Sequence, residues 1–444
     1  MLHATRSYLG AAGKSSALDV TTLENLSQQQ KDGILAATSE ISRKLMVDLG
    51  VKWKPQPVDD ALRQRTITWI KTELEPLVGP VNKRFLLSTD AGLTYMERVY
   101  EGGDFETKAS MVKYVTVAIY LDDMIDKNAG MAKEAESFLF KVSMQLARHM
   151  SDPFVSNMLL HSCTLYIEGC ALEYYVQQDQ EKYFLVQDAD TERARDEEER
   201  MLERERGFDI PLPLDNDRVG PSDSDDDIAS ETDYLVPHGW PIWLRERSAV
   251  AETFAITSFR APGGIDVPTW LWVTAVAELR TVILSINDLL SFAKELLADD
   301  TTSSISVLTK ERRMIGMPGS APDGGWCLRD SFEEVFGKIV VAGARINWLL
   351  RPTVRGARYD VDGRVYGIME LVDMLKDSKR RGVDRGEVMK ALALRLWETH
   401  QRGYVAWHFQ SPRYRAHELF DWVGEMMGEG GNGPEWLTEC FLGR

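Results

Sequence analysis

The stretch "INDLLSFAKE", residues 286–295, sets Asn287, Ser291 and Glu295 four residues apart. That spacing is the period of a helix face. At about 100° per residue the side chains lie within about 80° of one another over roughly 12 Å, so an amide, a hydroxyl and a carboxylate project to one side. Oxygen ligands of this kind suit a hard cation. Mg²⁺ takes carboxylate, amide and hydroxyl oxygens and keeps water or a substrate phosphate in its other positions. A solvated polar face carrying Lys294 and Glu295 would show the same row, so the row alone leaves both readings open.

Outward from this stretch the helical period repeats. From about residue 58, apolar residues return at helical spacing over roughly 60–78, 108–127, 134–150, 155–177, 267–297, 333–350, 365–377 and 386–409, while alternating β patterns are scarce. The chain reads as all-α, without an internal repeat. "GMPGSAPDGGW" (316–326) has the glycine and proline of a helix connection. With 444 residues at 44% hydrophobic composition, the chain can bury one large core or two moderate ones; twelve Trp, fourteen Tyr and fifteen Phe could pack that core or line an apolar cavity. Residues 1–57 read as a flexible N-terminal tail and lead-in, 58–425 as the helical domain and 426–444 as a C-terminal tail. The first eighteen residues lack acids and include Arg6 and Lys14, but have no strong amphipathic pattern of the transit-peptide kind.

The formal charge of −17 argues against nucleic-acid or anionic-membrane partners, which need a basic face to neutralise phosphates. Between Asp188 and Asp233 there are eighteen acids and six bases, so this segment alone carries −12. Its charge runs, prolines and small polar residues over about 186–236 read as an acidic disordered insertion between helices. The longest tidy apolar run, "YVTVAIYL" (114–121), has the length of a buried helix segment and not of a membrane span, so no stable membrane insertion is expected. Cys163, Cys170, Cys327 and Cys440 lack metal or disulfide-framework spacing and fit a reducing, cytoplasmic setting.

A second acidic element follows that run directly. "LDDMID" (121–126) stacks Asp122 and Asp126 one turn apart, with Asp123 beside them, at the C-terminal end of a buried helix. The macrodipole is negative there, so each carboxylate destabilises the helix by roughly a few tenths of a kcal/mol unless a cation neutralises it. By itself a D-D-x-x-D string in an acidic protein is mostly chance.

Taken together, "DDMID" (122–126) and "NDLLSFAKE" (287–295) resemble the paired metal motifs of class I terpene cyclases. "YIEGCALEYY" (166–175), Arg245 in "WLRERS", 42 residues before Asn287, and "GYVAWHFQSPRYR" (403–415) resemble the fungal trichodiene-synthase branch. The resemblance spans about residues 60–425. It implies a single-domain terpenoid-synthase helical barrel around a central active-site cavity, and a lyase of secondary metabolism. That enzyme would ionise farnesyl diphosphate and cyclise the allylic cation to a polycyclic sesquiterpene or sesquiterpene alcohol, trichodiene-like or longiborneol-like, releasing diphosphate.

Carried onto matched positions, the resemblance makes Asp122, Asn287, Ser291 and Glu295 ligands of Mg²⁺, with three ions expected alongside diphosphate. Asp126 fits the string, although the last acid of this motif often sits outside the metal shell. Arg245, Lys294, Arg413 and Tyr414 would bind the diphosphate, and Asp123 would accept from Arg413 on closure. Asp122, Asp123, Arg413 and Tyr414 are thus the expected catalytic set. Tyr114, Tyr166, Phe254, Trp272 and Trp407 are candidates for the cavity wall or plain core, and His408 and Cys170 read as packing residues. The alternatives are a chain-elongating isoprenyl diphosphate synthase, which usually has a second D-D-x-x-D in place of the Asn-Ser-Glu row, and a non-catalytic isoprenoid-diphosphate-binding protein of the same fold. The acidic insertion and the long N-terminal tail depart from a minimal cyclase. Oligomeric state stays open, with a homodimer as the candidate assembly.

Overall fold

The computed structural model describes residues 7–53, 59–124, 129–178, 251–300, 303–352, 366–377, 384–427 and 441. Asp126, Arg245, Cys440 and the acidic stretch 186–236 lie outside them, as do the Asp123 side chain and nearly all of the expected C-terminal tail. By contacts the chain divides into one unit of Met1–Tyr174 with Pro241–Arg444 and a second of Tyr175–Trp240, most of which falls outside the described residues.

The described residues are predominantly helical, so the all-α expectation holds. In chain order the helices are α1 (Gln28–Asp48), α2 (Asp60–Trp69), α3 (Glu75–Val78), α4 (Lys83–Val99), α5 (Phe105–Met124), α6 (Ala129–Ala147), α7 (Pro153–Gln178), α8 (Ala251–Thr257), α9 (Val276–Leu297), α10 (Ser304–Met314), α11 (Leu328–Leu349), α12 (Ile368–Lys376), α13 (Arg385–Gln410), α14 (Ala416–Leu419) and α15 (Asp421–Met427). A π-helical stretch, Ile70–Leu74, joins α2 to α3 and completes the helix predicted over 60–78. Two short strands, β1 (Arg260–Ala261) and β2 (Ile265–Asp266), pair antiparallel across Gly263 and Gly264, both at positive φ. No described helix is long and apolar enough to cross a membrane.

α4, absent from the helices expected from sequence, is buried nearly all round, Asp90, Glu97 and Arg98 along with Leu93 and Met96. It lies between α5 and α13. A Cβ on Gly92 would come within 2.8 Å of Thr116 Oγ1 on α5, and one on Gly403 of α13 within 2.3 Å of the Arg98 carbonyl oxygen. Backbone approach this close demands glycine at Gly403.

From α4 the packing can be followed round a closed ring. α4 packs on α5. α5 is tied to α7 by Tyr166 Oη donating to the Ala118 carbonyl (2.8 Å), and α7 to α8 by Thr253 Oγ1 donating to Ser162 Oγ (3.0 Å). α8 packs on α9, α9 on α13, and α13 returns to α4.

The lead-in read as a flexible tail is packed wherever it is described. α1 buries Ile34, Ala37, Ile41 and Leu45, lies against α9, and starts at a Ser27–Gln30 capping box. Ahead of it, Leu9 and Leu18 are fully buried, and the Glu333 carboxylate of α11 accepts from the backbone N–H of Tyr8 at 2.8 Å. The apolar residues of this segment are spaced among polar ones, so composition concealed a stretch that docks through a few large side chains.

Candidate functional site

α9 is apolar on its inner side, where Val282, Ile286, Leu289, Phe292 and Leu296 are buried. The Asn-Ser-Glu row borders that side. Ser291 is 2% exposed and its Oγ has no hydrogen-bond partner, whereas Asn287 and Glu295 are half-buried. A buried hydroxyl without a partner costs about 1–3 kcal/mol, and a group that bonded it would remove that cost.

Asn287 is oriented from behind. His408 Nδ1 lies 2.7 Å from the Tyr404 carbonyl, which can only accept, so Nδ1 carries a proton, and a ring holding that one proton accepts at Nε2. Asn287 Nδ2 meets that Nε2 at 3.3 Å and donates to Tyr414 Oη at 3.2 Å. With the NH₂ end turned toward the aromatic side, the amide oxygen faces the other way. His408, read from sequence as packing, therefore positions a candidate ligand. An imidazole on a buried helix face does not announce which neighbour it will meet.

One turn gathers the other residues. α13 ends at Gln410, and the 3-10 turn Pro412–Tyr414 follows, closed by Arg415 in the left-handed region at φ 55°. Arg413 from this turn donates through Nη2 to Asp122 Oδ2 near the end of α5. Tyr414, its neighbour, meets α9: Asn287 bonds its hydroxyl, and Lys294 Nζ stands 5.4 Å from its ring centroid, a cation–π distance. Asp122 on one helix and Asn287 with Lys294 on another are thus joined by consecutive residues. Asp122 is 40% exposed against 18% for Arg413. A pair that wet contributes about 0–1 kcal/mol, so a stronger ligand can displace it. Arg413 pairs with Asp122; the side chain of Asp123, the partner expected on closure, lies outside the described residues.

Of the candidate aromatics, Phe254 and Trp407 enter a cluster around Tyr95, with ring centroids 4.8 and 4.9 Å from it. Tyr404 and Tyr100 complete that cluster, and none of these three tyrosines was singled out in the sequence. Tyr114 Oη pairs with Thr253 Oγ1 at 3.2 Å. Burial raises the Tyr166 hydroxyl pKa well above its ordinary value, and nearby Cys170 and Asp122 push the same way. Trp272 sits elsewhere, stacked on Phe259 and donating to the Val267 carbonyl, so it packs the β1–β2 region and not the cluster. Cys170 is buried and in no disulfide.

Among the described residues no group of three His, Cys, Asp or Glu side chains is gathered to hold an ion. The α9 row has a single carboxylate and relies on amide and hydroxyl oxygens, a donor set that suits Mg²⁺ and poorly suits a softer metal. No protein-family model and no curated protein matches the chain.

Proposed function

We propose that this protein is a Mg²⁺-dependent sesquiterpene cyclase that ionises farnesyl diphosphate and closes the allylic cation to a cyclic C15 product. The reading rests on one observation above the rest: the Pro412–Tyr414 turn joins Asp122 of the aspartate-rich segment to Asn287 and Lys294 of the Asn-Ser-Glu helix. The closed ring of helices and the aromatic cluster within it support the barrel expected of this class.

Asp122, Asn287, Ser291 and Glu295 would hold the metal. Bound there, Mg²⁺ supplies Lewis-acid neutralisation of the departing diphosphate. The protein's own residues supply the rest. Arg413 exchanges the exposed Asp122 carboxylate for the diphosphate, where its planar fork can bind two oxygens. Lys294 and Tyr414 approach the same anion from α9 and the turn. At about 4 Å and an effective dielectric near 20, the charges of Arg413 and Lys294 are each worth about 4 kcal/mol against a unit of anionic charge, so the two together lower the ionisation barrier substantially. His408 holds the Asn287 amide with its oxygen outward before the metal arrives, which removes a reorganisation cost. The faces of Tyr95, Phe254, Tyr404 and Trp407 would steady a carbocation by roughly 0.5–2 kcal/mol each and keep water away from it.

Glu295→Ala tests the assignment. The variant should need at least about ten-fold more Mg²⁺ for half-maximal diphosphate release, while its metal-free stability changes by less than about 0.5 kcal/mol. An unchanged metal titration would remove Glu295 from the site.

A further inference from the structure

Deep in the aromatic cluster sits a histidine that the proposed ionisation does not use. His400 is 1% exposed. Its ring stacks between Trp397 (5.5 Å) and Tyr404 (6.0 Å) on α13 and meets the edges of Tyr95 (6.5 Å) and Tyr100 (5.5 Å), from α4 and its C-cap. Nδ1 lies 2.7 Å from Ser258 Oγ, just past α8, and Nε2 is buried with no hydrogen-bond partner.

The tautomer follows from a count of protons. Ser258 Oγ donates to the Phe254 carbonyl at 2.7 Å, and a hydroxyl has one proton to give. The second contact must then run from His400 Nδ1–H to Ser258 Oγ. Nε2 is left as a bare lone pair. The opposite tautomer would bury an unpaired N–H, the rarer kind of orphan. Among the described residues no carboxylate faces the ring, and burial lowers its pKa from 6.5 to about 3, so the imidazole is neutral at pH 7. His400 lies two turns, roughly 12 Å, along α13 from His408. It therefore stands at the far end of the cluster from the proposed diphosphate site.

We infer that His400 Nε2 is the base that removes the last proton in the cyclisation, with Ser258 fixing its tautomer. The inference rests on the cyclase reading above. In the step, a C–H bond next to the cationic carbon breaks, its electron pair forms a C=C bond, and the proton bonds to Nε2. Where water has first added to the cation, the O–H bond of the oxonium breaks instead. A weakly basic imidazole suffices, because a carbocation or an oxonium is a far stronger acid than imidazolium. The same weakness returns the proton to water as product leaves.

Two variants separate chemistry from shape. His400→Phe keeps the stacked ring and removes both nitrogens; diphosphate release should stay within about three-fold of wild type, since ionisation occurs at the other end. The share of the wild-type product should fall at least about ten-fold, replaced by products quenched earlier. His400→Gln restores an acceptor and should recover part of that product. A purely steric role predicts the reverse order, because Phe preserves the ring and Gln does not. Nitrogen-15 NMR of the free protein at pH 7 should show Nδ1 protonated and Nε2 bare. An Nε2–H tautomer, an unchanged product spectrum in His400→Phe, or Gln performing worse than Phe would overturn the inference while leaving the cyclase reading intact. A wild-type protein inert toward farnesyl diphosphate would overturn both.

Discussion

Ser291 offers the sharpest test at the scale of single residues. Its Oγ is buried without a partner, so Ser291→Ala should leave metal-free stability unchanged or slightly raised, yet increase the Mg²⁺ needed for turnover. Thermal melts without metal, run beside a Mg²⁺ titration of diphosphate release, read both effects. Loss of stability with an unaltered titration would mean that the hydroxyl is structural. Asn287 behaves differently because its amide bonds His408 and Tyr414. Asn287→Ala should cost about 1–3 kcal/mol of stability as well as metal affinity, since it strands the buried His408 acceptor. The row itself was legible in the sequence because a period of four survives translation into a helix face. The His408 contact was not, because it depends on how α13 crosses α9. His400 adds a pH dependence. Its folded pKa of about 3 lies below the ordinary 6.5, so between those values the unfolded chain binds more protons and stability falls as pH falls. His400→Phe should flatten that slope by up to about 1.4 kcal/mol per pH unit in denaturant titrations between pH 4 and 6; an unaltered slope would mean that His400 is not buried neutral.

Between elements, the closest approach is that of α13 to α4 at Gly403. A methyl there would meet the Arg98 carbonyl oxygen at 2.3 Å and Val99 Cα at 2.8 Å, backbone atoms that cannot rotate away. Gly403→Ala should therefore destabilise by about 1–3 kcal/mol, read as a shift in denaturant midpoint. Gly343→Ala on α11 is the control: its nearest neighbour is a side-chain nitrogen at 3.8 Å, and the substitution should be neutral or stabilising by up to about 1 kcal/mol. Equal losses in both would tell against a tight α4–α13 contact. The elements with one apolar face, such as α9 and α12, were visible as periodicity. α1 was hidden by its polar composition, although the Ser27–Gln30 pair that opens it is a capping signal present in the sequence.

For the whole molecule, the N-terminal segment is part of the core and not an appendage. Removing residues 1–20 would expose the ground covered by Leu9 and Leu18 and should cost about 3–6 kcal/mol from those leucines alone. Expression of the truncated chain as a soluble protein of unchanged melting temperature would contradict that packing. The larger claim is that the ring of helices and the turn joining Asp122 to Asn287 serve to ionise one allylic diphosphate. The most direct measurement supplies farnesyl diphosphate and Mg²⁺, with and without isopentenyl diphosphate, and identifies the products by mass spectrometry. We expect diphosphate and a cyclic C15 hydrocarbon or alcohol from farnesyl diphosphate alone, unaffected by the second substrate. Longer prenyl diphosphates in the mixed reaction, with no C15 product from either, would contradict it.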